Sequence, residues 1–409
     1  APLLEAACAA PRVAACTPGW TQTICAPDPP CRLLDSTVLG LSVTGWVAGG
    51  FTTTSDDPRD PPQGMGNLPV AFNYRSNDYQ LNQLYVIIQR PTDTDGCGFD
   101  IGGRVDLLYG EDYIFTQAAG LETTPEGRNR WNAATGGGGI GGTARLGLAM
   151  PQVYGEVAWR RLKVKLGRFY TTIGYDGVMA PDNFFYSRSY ALVYGEPFTH
   201  TGGLFTWQIN DQWSAHAGLV NGWDKFDAVN DRAALLAGFA WTSPSGCTTF
   251  RFAFITGVED GTAPPNLGNR TMYSMVFSHY LTDRLQYVLQ HDFGNQNGGD
   301  VFSPFAGGRD AKWYGLNQCV FYTLNDRWKL GLRYEWFNDQ NGTRVIPFGG
   351  HWNQLALGMN WTPSPNIIVR PEARWDWFAP HHPATPAGPF DELTDRNQFT
   401  GGFDLIVLF

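Results

Sequence analysis

NQFTGGFDLIVLF (397–409) closes the chain. Counting back, Phe409, Val407, Leu405 and Phe403 take every second place, while Asp404, Thr400 and Gln398 fall on the other face. A strand with one apolar and one polar face has a period of two and is half-buried. In a water-soluble sheet a terminal Phe is exposed whenever the end frays; at a lipid interface it has a place to sit. The stretch alone fits either a soluble two-faced sheet or the closing strand of a membrane-spanning barrel.

Composition favours the barrel. Of 409 residues, 49 are Gly, 14% are aromatic and only 16% are charged, against about 25% charged in ordinary soluble domains. No run reaches the roughly 18 apolar residues of a membrane helix, so a span has to be built from a closed sheet. The net charge of -9 and the lack of a Lys/Arg cluster argue against nucleic acid as a partner.

Seven cysteines carry a compartment signal. Cys8, Cys16, Cys25 and Cys31 crowd into a Cys/Pro-rich segment, residues 1–36, that is too poor in core residues to fold unaided, so disulfides are the expected staple. Zinc is the alternative, without CxxC spacing or a neighbouring His to support it. Cys97 and Cys247, in short turns, are further candidates, with connectivity left open, and Cys319, inside a strand, is expected to be a free thiol. Disulfides place the segment in an oxidising compartment such as the periplasm, and the chain reads as already processed at Ala1.

From 37 to 409 the sequence reads as one barrel of two-faced strands joined by alternating short and long connections. The first strand (38–51) sets Leu39, Leu41, Val43 and Val47 against Ser42, Thr44 and Trp46. A long polar loop follows, then strands at 80–89, 99–109, 152–160, 162–169 and 203–209, with long loops at 110–150 and 171–201. Short turns at 210–212, 243–247, 282–284, 325–327 and 363–366 punctuate the remainder, giving sixteen strands with both ends on the short-turn side.

Two patterns separate this from a soluble sandwich. Trp159, Trp207, Trp213, Trp241, Tyr287, Tyr322, Trp328 and Trp361 flank the short turns on the apolar face, as an interfacial girdle does. The opposite face carries Arg104, Asp106, Glu156, Lys163, Lys165, Lys329, Arg333, Glu335, Arg370, Glu372, Arg374 and Asp376. So many ionisable groups are too costly for a dry interior and are expected to line water.

YGEVAWRRLKVKLGRFYTTIGYDGV (154–178) and APDNFFYSRSYALVYGEPFTHTGGLFTW (180–207), with NQLYVIIQRP (82–91), FDIGGRVDLLYGED (99–112) and VNGWDKFD (220–227), resemble the outer-membrane β-barrel porin-2 family, the OmpL-like group. The resemblance covers most of the chain after residue 37 and implies a porin-like barrel in the bacterial outer membrane, with periplasmic termini. Residues 1–36 lie outside it. In such barrels the terminal aromatic, here Phe409, resembles the signal read by the barrel-insertion machinery.

The loop 171–201 is dense in aromatics and Pro, which a loop folded into the lumen packs against the wall. Its Asp176, Asp182 and Glu196 then face Arg333, Arg370 and Arg374 on the far wall, forming a constriction with a transverse field, while Arg104, Asp106, Glu156, Lys163 and Lys165 line the wall. No catalytic set is evident: Ser278 and His279 point oppositely, Ser214 and His216 lack an acidic partner, and His381 and His382 sit in a Pro-rich loop. Asp93, Asp95 and Asp100 lack calcium-loop spacing. No cofactor or metal is expected. The leading function is passive diffusion of small hydrophilic solutes; the alternative is a structural or anchoring barrel with a closed bore, whose N-terminal segment holds a periplasmic or cell-wall partner. Outer-membrane lipid surrounds either one, and a homo-oligomer, a trimer, follows only by analogy.

Overall fold

The computed structural model describes residues 40–409 apart from 62, 95, 97, 133–144, 229–231, 261–266, 299–309, 346–348 and 382–387. The strands, in chain order, are β1 (Ser42–Thr54), β2 (Asp78–Arg90), β3 (Phe99–Gly110), β4 (Gly147–Trp159), β5 (Leu162–Tyr170), β6 (Thr199–Gln208), β7 (Trp213–Val220) and β8 (Ala234–Thr242). They continue as β9 (Thr248–Asp260), β10 (Leu267–Tyr280), β11 (Leu285–Gln296), β12 (Ala311–Asn325), β13 (Trp328–Asp339), β14 (Gly350–Ser364), β15 (Ile367–Pro380) and β16 (Asn397–Leu408). Each pairs antiparallel with its neighbours, and β1 pairs with β16, so the sheet is a closed sixteen-strand barrel rather than a sandwich. Among the described residues no helix is long and apolar enough to cross a membrane.

The observed strands extend beyond the expected limits into the flanking segments, Gly-Leu-Ala-Met-Pro at the start of β4 and Thr-His-Thr-Gly at the start of β6. β4 begins at Gly147 rather than 152 and β6 at Thr199 rather than 203, so the intervening loop shortens to 171–198. The turn between β4 and β5 is made by Arg160 and Arg161, with Arg160 in the left-handed region at φ 54.

Register fixes the faces. Cys319, Arg333, Ala356, Arg374 and Thr400 form one row across β12–β16 and are all buried on the inner side. The adjacent row, Val320, Leu332 and Leu357, points outward and is exposed. Trp159, Trp207, Trp213, Tyr322 and Trp361 are likewise exposed, and Trp328 stacks on Trp361 with centroids 5.5 Å apart. The outer surface is thus apolar with aromatic rings near the short turns, and the charges lie inside.

The chain terminus is part of the closing seam. Gly45 N donates to Phe409 O at 2.8 Å and Phe409 N to Gly45 O at 2.9 Å. The Phe409 ring lies over residue 45, where an added Cβ would sit 2.7 Å from it, so only glycine admits the ring there.

Cys319 is a free, buried thiol, and Cys247 is buried in the β8–β9 turn. Residues 1–36, with Cys8, Cys16, Cys25 and Cys31, and also Cys97, lie outside the described residues.

If the outer face meets hydrocarbon, Leu357, 59% exposed near the middle of β14, is a position where charge is penalised. Leu357→Arg is expected to lower stability in lipid vesicles by about 2–4 kcal/mol, measured by urea unfolding. A change within error would mean that this wall does not face lipid.

Candidate functional site: a loop clamped across the bore

Residues 171–198 leave β5 on the long-loop side and re-enter the sheet at β6. Near their start the loop is tied to the near wall, where Thr172 Oγ1 meets His216 Nε2 at 2.9 Å and Thr171 Oγ1 meets His200 Nε2 at 3.0 Å. Ser214 and His216 share a face without an acidic partner, and His216 makes a lumenal hydrogen bond to the loop.

The chain then crosses the lumen. Ala180 O and Asn183 O accept from Arg370 Nη1 on β15 at 2.8 and 2.6 Å. Arg333 on β13 donates to Ser187 O at 3.1 Å and Ser187 Oγ at 2.7 Å. Arg374 on β15 donates to Ser187 Oγ at 3.1 Å and Arg188 O at 2.7 Å. On the return limb Glu335 accepts from the backbone nitrogens of Tyr190 and Ala191, both at 2.7 Å, and Tyr190 Oη donates to Asp376 at 2.6 Å. The loop therefore lies inside the barrel, held to β13 and β15 by charge-assisted bonds, the stronger class of hydrogen bond.

Apolar contacts fill the gaps between these bonds. Phe184 packs on Phe321 at 4.8 Å and on Phe185 at 4.9 Å. The wall makes room at Gly331, where a Cβ would fall 2.2 Å from the Phe184 ring. Within the loop, Arg188 donates to the carbonyls of Gly177, Phe185 and Tyr186 at 2.9, 3.1 and 2.8 Å and staples the crossing segment into one turn.

The six residues expected at the constriction do not form a single facing set. Asp176 approaches Arg333 at 3.7 Å. Arg370 pairs instead with Asp404 at 2.5 Å, and Arg374 with Asp376 at 2.7 Å, both carboxylates on the barrel wall. Glu196 meets Gln290 rather than an arginine, and Asp182 is exposed. The three arginines are 1–2% exposed, so they act as clamps beneath the loop rather than as surfaces that a solute touches.

Of the wall residues, Arg104 pairs with Asp106 at 2.7 Å and both are buried. Lys163 approaches Glu156 at 3.6 Å, and Lys165 lies 4.0 Å over the Tyr154 ring. These last three remain partly open to the lumen. The loop folds around a small cleft of its own, lined by Tyr170, Ile173, Asp176, Met179, Asp182 and Leu192.

Sequence reasoning missed the residue that organises the near side, Gln83 on β2. Its Oε1 accepts from Trp46 Nε1 at 2.9 Å and Ala180 N at 3.0 Å. Its Nε2 donates to Val178 O and Asp112 Oδ2, both at 2.8 Å. Every hydrogen-bonding site of this buried amide is used, yet a lone Gln on a strand carries no signal of it. The loop 55–77, polar in overall composition, buries Val70, Ala71, Phe72 and Tyr74, and Arg75 pairs with Glu111 at 2.6 Å. Behind it Glu122 and Arg168 form a fully buried pair at 2.6 Å.

Comparison with known proteins places this geometry. Residues 40–409 match the model of the family described as "Putative beta-barrel porin-2, OmpL-like". The fold is similar to that of the outer membrane channel DcaP of Acinetobacter baumannii, with a TM-score of 0.58 at 10% identity over 93% of this chain and 100% of that one. It is also similar to an anion-selective porin from Comamonas acidovorans, at 0.56 and 10% identity over 90% and 99% of the two chains. A third similar structure is the trimer form of OmpT from Vibrio cholerae, at 0.52 and 10% identity over 90% and 99%. No curated protein matches the sequence.

Two outcomes follow from the anchoring contacts. Gln83→Leu leaves Trp46 Nε1, Ala180 N and Asp112 Oδ2 without this partner at about 1–3 kcal/mol each, so amide exchange at 178–180 is expected to accelerate; unchanged protection would mean that Gln83 does not hold the loop. Asp112, beyond the end of β3, is pushed up from 3.8 to about 7 by burial. A carboxyl raised on folding contributes stability that is complete below its unfolded value and lost as pH rises through the folded one. Wild-type melting temperature should therefore fall more steeply between pH 4 and about 7 than that of Asp112→Asn, and parallel profiles would contradict this assignment.

Proposed function

The chain belongs to the β-barrel porin-2, OmpL-like, family, and from that premise we propose that small hydrophilic solutes diffuse passively through its bore past the loop 171–198. A member of a porin family resides in the bacterial outer membrane, and its activity is passage rather than chemistry. The observation that carries the reading is the loop held across the lumen of a closed sixteen-strand barrel by Arg333, Arg370 and Arg374.

The charges that a solute meets are then the exposed and half-buried ones. Asp182 borders the cleft, with Glu156, Lys163, Lys165, Arg251 and Lys329 on the wall towards the short turns. Low-dielectric walls focus the field of such groups into the passage. Asp176 and Glu196, each engaged with the wall, shape the constriction, and the buried arginines fix its width.

Further parts of the reading concern partners. Lipid covers the apolar outer face, Phe409 at the seam is the residue offered to the insertion machinery, and a trimer is the assembly by analogy with the OmpT form. The dense packing of 171–198 also favours a second reading, a closed bore serving as an anchor, with residues 1–36 holding a periplasmic or cell-wall partner.

Planar-bilayer recording separates the two. The diffusion reading predicts stepwise, ohmic conductance, and a silent bilayer with folded protein would favour the anchor. Asp182→Asn is expected to shift the reversal potential towards anions. That shift should shrink as salt rises and the Debye length falls from about 10 Å at 0.1 M to about 3 Å at 1 M. No shift at low salt would place Asp182 away from the narrowest point.

A further inference from the structure

The return limb of the loop meets the wall in a polar nest whose charges are not balanced. Glu196, on the loop, lies against Gln290 and Asp292 on β11, and these are flanked by Ser274 on β10 and Asn317 on β12. Register sets Ser274 opposite Asp292 and Gln290 opposite Asn317, all pointing inward. Each of the five is 2% exposed or less.

One amide joins the two carboxylates. Gln290 Nε2 donates to Glu196 Oε1 and, at 2.7 Å, to Asp292 Oδ2, which brings both acids within about two hydrogen-bond lengths of each other. Gln290 Oε1 is occupied by Tyr175 N at 3.2 Å. The second oxygen of each acid, Glu196 Oε2 and Asp292 Oδ1, has no hydrogen-bond partner, and neither has Ser274 Oγ or Asn317 Nδ2. Among the described residues no Lys or Arg forms an ion pair with either carboxylate; the nearby Arg251 guanidinium is directed to Gly174 O at 3.5 Å.

Two carboxylates removed from water, without a cation in contact, are strongly unfavourable. The free oxygen of Asp292 and the Ser274 hydroxyl lie on paired positions of the wall, and the free oxygen of Glu196 comes to them from the loop. The Asn317 amide supplies a further oxygen after a half-turn of its side chain, which exchanges its weak 3.8 Å contact from the Cys319 thiol for one to the ion. The donor set is then two carboxylates, a hydroxyl and an amide oxygen, with no thiolate or imidazole. That is the chemistry of a hard cation.

We propose that Glu196, Asp292, Ser274 and Asn317 bind a divalent hard cation of the calcium class, which ties the return limb of the loop to β10–β12. Gln290 is the positioning residue: it orients one oxygen of each carboxylate and leaves the other for the ion. Two negative charges match one divalent ion, and coordinating several oxygens from four elements holds the limb in one place. The site does not depend on whether the bore conducts.

Calcium itself is the probe. Full-length protein folded in detergent and stripped with a chelator is dialysed against radiolabelled Ca2+, and bound ion per chain is counted. Wild type is expected to retain one ion per chain. Glu196→Gln combined with Asp292→Asn, which preserves shape and the Gln290 contacts, is expected to retain none, and Ser274→Ala to bind more weakly. Heat-modifiable migration on gels checks that each variant is a folded barrel. Should the double variant not fold, Glu196→Gln alone, on the loop and outside the strand pairing, serves in its place, with the same loss of binding expected. Absence of bound Ca2+ in wild type, or equal binding in the carboxamide variant, overturns the proposal.

Discussion

In hydrocarbon no water completes the hydrogen bonds of a peptide group, so every N–H and C=O at membrane depth must find its partner within the protein. The seam between β1 and β16 meets that requirement here. Nine residue pairs, from Trp46↔Leu408 to Thr54↔Thr400, join the first strand to the last. Phe409 extends the join by one more exchange with Gly45. Once the seam is closed the alternation of each strand has a single reading. Leu332 and Leu357 face out and Arg333 and Arg374 face in, because the opposite choice would put guanidinium groups in lipid and leave apolar side chains in the bore.

Closure creates a second problem, a lumen lined with charge. Part of the answer lies in the wall, where Arg104 with Asp106, Arg370 with Asp404 and Arg374 with Asp376 neutralise one another across two residues of a strand or between neighbouring strands. The loop supplies the rest. Its backbone carbonyls at Ala180, Asn183, Ser187 and Arg188 accept the remaining guanidinium hydrogens, and its amides at Tyr190 and Ala191 satisfy Glu335. A buried arginine needs several acceptors in a fixed fork, and a crossing segment of backbone provides them. Removing one clamp would leave a buried polar group unsatisfied, which costs more than the bond itself contributes. The barrel wall and the loop thus depend on each other.

The fold was legible because it rests on period and position. The alternation in 397–409, the aromatic residues beside the short turns and the charged inner faces each follow from what lipid and water demand at that depth. The inward loop was legible from its ring content. Its contacts were not, because a sequence without register does not say which charges lie across from each other. Asp404 and Asp376 sit beside the very arginines that the sequence leaves free to face the loop, and Asp292, not an arginine, sits beside Glu196. Gln83 and the buried stretch around Phe72 gave no periodic signal, since a single amide or a short Val-Ala-Phe run reads the same in a solvated loop.

Central to this account is that buried wall arginines hold the loop in place and so set the width of the bore. Single-channel conductance of the triple variant Arg333→Gln, Arg370→Gln, Arg374→Gln, recorded beside wild type in the same lipid and salt, tests it most directly. Larger and noisier conductance steps are expected in the folded variant, as the loop loses its anchors and leaves the cross-section. Steps of unchanged size and noise would contradict it, because the loop would then be held by something other than these three side chains.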